Sequence, residues 1–93
     1  MLAWHFTNGV RLRNGRPVPP IGETLKHKGK LVLCESGLHA SKLLLDALAY
    51  ASGTMLHRVE CRGERIEGND KLVCRERTIV ASADMTWALV EFA

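Results

Sequence analysis

With 93 residues, 46% hydrophobic and 25% charged, the chain suits one folded domain with a modest core, which excludes a two-lobed enzyme around a large cleft and a disordered or fibrous protein. Its net charge of +3 is unevenly spread: residues 1–33 carry Arg11, Arg13, Arg16, Lys26, Lys28 and Lys30 against Glu23 alone, a net +5, whereas residues 34–93 carry seven basic and nine acidic groups, a net −2. No apolar run approaches the ~20 residues of a membrane span, the first residues lack a basic segment leading into a signal core, and three cysteines without close pairing argue against a disulfide framework, so a soluble, cytoplasmic protein is expected, with no membrane partner.

In chain order, residues 2–7 and 10–13 read as strands flanking Asn8-Gly9, a dipeptide suited to a type I′ hairpin turn. Asn14-Gly15 repeats the signal, so residues 1–20 read as an N-terminal hairpin region carrying Arg11, Arg13 and Arg16 near its tip. Pro17, Pro19 and Pro20 remove backbone donors and confine any strand there to an edge. Residues 22–27 and 30–34 read as short strands around Lys28-Gly29. Ser41 is the expected N-cap of a helix over about residues 41–52, with Leu44, Ala47, Leu48 and Ala51 on one stripe widened by Leu43 and Leu45, which predicts burial over most of its circumference.

Residues 55–61 alternate as a strand, and Gly63, Gly68-Asn69-Asp70 and Ser82-Ala83-Asp84 separate further strands at 64–67, 71–74 and 78–81. Residues 85–92 read as the last strand, with a helix as the second reading, since Ala88, Leu89 and Glu91 are weak strand markers. The pattern is α+β: about six to eight short, mostly antiparallel strands packed on one central helix, in a single domain whose sheet-helix core spans residues 21–93.

The densest chemistry lies in Cys34-Glu35-Ser36-Gly37-Leu38-His39-Ala40-Ser41, which places a thiol, a carboxylate and an imidazole at a strand-to-helix corner. A Cys34 nucleophile with His39 as base and Glu35 as orienting group is the covalent arrangement it offers, but no cysteine-hydrolase signature surrounds it. Cys34, His39, His57 and Cys61 are the residues a zinc site would use. His57 and Cys61 stand about 13 Å apart at strand rise, too far for one ion without a bulge, so no metal is expected and Cys34, Cys61 and Cys74 read as buried thiols.

The strings CESGLHAS, LLLDALAYASG, RVECRGE and DKLVCRERTIV, covering about residues 21–80, resemble a family of small, largely uncharacterised phage and prophage proteins. That resemblance implies a phage-encoded binding protein, with inhibition of a host defence system in the manner of an anti-CRISPR as the associated role. Its partner would be a host protein or ribonucleoprotein complex in the host cytoplasm, met by Arg11, Arg13, Arg16, Lys26, Lys28 and Lys30, since arginine forks suit carboxylates and phosphates. With few aromatic residues and no basic–aromatic alternation, direct nucleic-acid binding ranks behind protein contact.

His5-Phe6-Thr7, the segment Gly37 to Ser41 and Tyr50 also resemble the order of elements in ADP-ribosyltransferases. That resemblance implies an NAD site, or a degenerate remnant of one, in which His5 and Thr7 match the His-x-Thr strand, His39 stands in place of the stacking tyrosine, and Glu76 or Glu91 supplies the glutamate. Without the tyrosine, binding without turnover and without a cofactor is the favoured expectation, and NAD the alternative.

Overall fold

The computed structural model describes residues 1–33 and 35–86. Among these residues five strands, β1 (Leu2–Thr7), β2 (Thr24–Lys26), β3 (Leu38–Ala40), β4 (Met55–Glu67) and β5 (Leu72–Asp84), form one antiparallel sheet beside a helix, α1 (Leu44–Ala49). The described residues thus hold five strands, below the six to eight expected of the whole chain. Gly63 and Ser82-Ala83-Asp84, read as breaks, lie inside two 13-residue strands, and the strands expected at 71–74 and 78–81 are one. Gly63 sits in a register shift between Arg62 and Arg65, so the glycine makes a bulge and not an end. No helix among the described residues is long and apolar enough to cross a membrane.

The sheet runs β1–β4–β5, with β2 and β3 following one another along the far edge of β5. It then coils on itself: Trp4 N–H donates to the Ser41 carbonyl (2.7 Å) and Ser41 N–H to the Trp4 carbonyl (2.9 Å), so the end of β3 meets the free edge of β1. Ala3, Val59, Cys61, Leu72, Cys74 and Ile79 pack with Ala40 in the main core. Phe6 and Leu56 form a second cluster with Ala47 of α1.

Ser41 is therefore a bridge residue, not an N-cap. The helix begins after Leu43, whose side chain caps nothing, and only Ala47 is buried; Leu43 and Leu45 are 63% and 78% exposed. The expected helix over 41–52 buried on most sides is corrected to six residues touching the sheet along one line. Two other expected strands are absent. Val10–Arg13 does not pair with β1, whose partner is β4; instead Arg11 bridges Pro17 around the Asn14-Gly15 turn. Asn8 Oδ1 accepts from the Val10 and Arg11 N–H groups, so Asn8-Gly9 turns the chain out of the sheet. Residues 30–33 form a tight loop in which Val32 bridges Ser36. The expected final strand at 85–92 falls outside the described residues from 87 onward, as do Cys34 and Glu91.

Candidate functional site

The coiling brings β1, β3 and β5 around a cleft of about 330 Å³. β1 contributes His5, β3 His39 and β5 Arg77, while the β1–β2 connection supplies Arg13 and Asn14, and the turn before β3 supplies Glu35. Leu12 and Leu38 form apolar wall. A smaller hollow of about 50 Å³, lined by Trp4, Tyr50 and Lys71, shares His5 and Arg13 with the cleft. Arg13 is held in place by donating from Nη2 to the Tyr50 carbonyl oxygen (2.8 Å).

Arg77 is the most unusual residue here. It is 6% exposed, and Nη1 donates to the His39 carbonyl oxygen at 2.5 Å. Among the described residues no carboxylate forms an ion pair with it or with Arg13; the five ion pairs present use other groups. A buried guanidinium normally brings a counter-charge with it, because desolvating it alone is costly. Burial depresses the Arg77 pKa, opposed by its position near Cys74 and Cys61.

That charge acts on the histidines as the second cause after burial. Burial first, then Arg77, His57, His39 and Arg13 hold His5 well below the ordinary imidazole range. Burial and then Arg77 lower His39, and the same two causes lower His57. All three imidazoles are neutral at neutral pH, and the cationic charge of the cleft resides on Arg13 and Arg77. Among the described residues the His5 ring takes part in no hydrogen bond, although every fully buried side-chain nitrogen and oxygen has a partner.

Thr7 and His57, by contrast, are committed to structure. Thr7 Oγ1 accepts from Gly9 N–H (2.9 Å) and lies 2.7 Å from His57 Nε2, while His57 Nδ1 lies 2.6 Å from Ser82 Oγ. With Nδ1 protonated, Thr7 donates to Nε2 and Nδ1–H donates to Ser82, which satisfies every group. In either tautomer the array is a clasp tying β1, β4 and β5.

Of the residues singled out from sequence, His5 and His39 meet at the cleft with Arg13, as does Glu35. Thr7 turns to the clasp, and Glu76 lies on β5 opposite Lys26 of β2, outside the cleft lining. Arg11, Arg16, Lys26, Lys28 and Lys30 are exposed, and none joins an ion pair among the described residues. Cys61 and Cys74 are free thiols in the core; the hydrogen bond with Cys74, followed by burial, pushes the Cys61 thiol up. Sequence reading passed over Arg77. Its signal is parity: Arg77 and Ile79 stand two apart on one strand, so they share a side, and Ile79 is a core residue.

A coiled antiparallel sheet joined at its β1 and β3 edges, with a cleft lined by Arg13 and Arg77, defines a small α+β domain. The chain belongs to the family described as Domain of unknown function (DUF7666), matched over residues 5–91, a span that includes His5, Arg13, His39 and Arg77. Comparison with curated proteins and with solved structures returned no match.

Proposed function

We propose that this domain binds a small phosphate-bearing ligand of the mononucleotide class in the cleft between β1, β3 and β5. The observation that carries the reading is Arg77: a guanidinium 6% exposed, lining the cleft, with no carboxylate partner among the described residues. Arginine forks match phosphate oxygens, and a bound anion removes the cost of burying the charge unpaired. Arg13 adds a second cation and the neutral imidazoles add donors and acceptors for sugar hydroxyls, with Leu12 and Leu38 offering apolar contact to a base. About 330 Å³ lies at the small end of ligand pockets, which span ~300–1,000 Å³. That size favours a mononucleotide over the intact NAD that the transferase resemblance implies.

Calorimetric titration with 5′-nucleoside monophosphates, and with NAD as the larger comparison, tests the reading. Saturable binding of a monophosphate, weakened at least about tenfold in Arg77→Met, is the expected result, since a charge-assisted bidentate contact contributes on the order of 1.5–3 kcal/mol. No saturable binding, or an unchanged affinity in the variant, contradicts it.

A second reading draws on Arg11, Arg16, Lys26, Lys28 and Lys30, all exposed and without ion pairs among the described residues. These cations suit the acidic surface of a host protein or ribonucleoprotein, the partner implied by the phage-family resemblance and its anti-CRISPR-like role. Charge reversal at Arg11 and Arg16 should abolish capture of such a partner from host lysate without lowering stability. Undiminished capture would remove this surface from consideration.

A further inference from the structure

The most informative feature of the cleft beyond its charge is the company His5 keeps. Two cations stand near its ring, Arg77 on β5 and Arg13 on the β1–β2 connection, together with the neutral but protonatable imidazoles of His57 on β4 and His39 on β3. Lys71 lines the adjoining hollow beside Tyr50 and stacks on that ring at 4.4 Å. Glu35 is the carboxylate in the cleft lining, and it is exposed. Among the described residues no carboxylate, Glu35 included, forms an ion pair with Arg77. The His5 ring is uncharged and takes part in no hydrogen bond among the described residues, so an incoming anion meets both a donor site that can be protonated and the cations that oppose its protonation.

We propose that a dianionic phosphate monoester enters this cleft together with one proton, taken up by His5, so that two guanidiniums and one imidazolium hold the bound group. The inference rests on the phosphate-binding reading above and adds the charge state of its ligand. The physical cause is reciprocal. Arg77 and Arg13 repel a proton on His5 in the empty cleft, and a dianion between them cancels that repulsion and accepts a hydrogen bond from the charged ring. No covalent bond changes; the proton comes from solvent and returns there when the anion leaves. A monoester matches this site better than a phosphodiester, whose single negative charge would leave the extra proton uncompensated.

Sulfate provides the cleanest probe because it stays a dianion across the range in which histidine titrates, whereas inorganic phosphate also changes its own charge. Titrations of the isotope-labelled full chain with sulfate and with inorganic phosphate, at about pH 6 and about pH 8, would follow the His5 Cε1 proton and the amides of His5, His39 and Arg77. Sulfate should bind at least about fivefold more tightly at the lower pH, with the His5 ring showing the charged form only when sulfate is present. In His5→Gln that ratio should fall to about one, while in His39→Gln it should persist. Sulfate binding that is equal at both pH values in the unsubstituted protein, yet weakened by Arg77→Met, would overturn proton uptake and leave the phosphate site standing. Loss of the pH dependence in His39→Gln in place of His5→Gln would overturn the assignment to His5. Binding of neither sulfate nor phosphate at either pH would overturn both readings.

Discussion

Gly37 shows how one residue serves both fold and site. It has φ of +122°, and a Cβ there would lie 2.2 Å from Val73 Cγ2 and 2.8 Å from Leu31 Cδ2. Gly37→Ala should therefore destabilise the fold by about 3 kcal/mol or more, combining backbone strain with overpacking, and equilibrium denaturant unfolding checks it. The glycine was visible in the CESGLHA string; the reason for it was not, because Val73 lies far along the chain. The Thr7–His57–Ser82 clasp makes a second test. His57→Phe removes the partner of two hydroxyls, one of them on the buried Thr7, and should cost about 1–3 kcal/mol in the same measurement without introducing a new nucleotide dependence.

At the scale of elements, β1 was legible to the residue, since the Asn8-Gly9 turn bounds residues 2–7 and the structure places β1 at Leu2–Thr7. The Gly68–Asp70 turn was equally plain, with Gly68 N–H donating to the Lys71 carbonyl at 2.7 Å. β3 was not legible, because three residues carry too little periodicity and its pairing with Leu72–Cys74 comes from distant sequence. The same long-range bridge, Ser41 to Trp4, drew Ser41 away from the helix it seemed positioned to cap. The leucine-rich run then misled in the opposite direction, for composition reports apolarity and not which neighbours exist to bury it. Leu45→Gln should change stability by no more than about 0.5 kcal/mol, and Ala47→Leu should cost about 1–3 kcal/mol by overpacking against Phe6 and Leu56; thermal unfolding of the pair separates the two faces of α1.

Across the whole molecule, the depressed histidines link stability to pH. His5, His39 and His57 have folded pKa values below the ordinary ~6.5 of the unfolded chain, so below that pH the unfolded state binds more protons. Stability from these groups is full above the unfolded value and is lost as the pH falls from about 6.5 toward their folded values. The melting temperature should hold steady above about pH 7.5 and drop on acidification below about 6.5, less steeply with a bound anion that lets His5 charge in the folded state. His5 and His39 were legible as a pair because each stands in a short motif, whereas their depression comes first from burial and then from the charge of Arg77, hidden in an alternating strand. The most direct measurement of the central claim is amide chemical-shift mapping during titration with a 5′-nucleoside monophosphate. Saturable shifts centred on His5, Arg13, His39 and Arg77, absent in Arg77→Met, are the predicted result. Shifts scattered over the exposed lysines without saturation, or no shifts at these four residues, would contradict it.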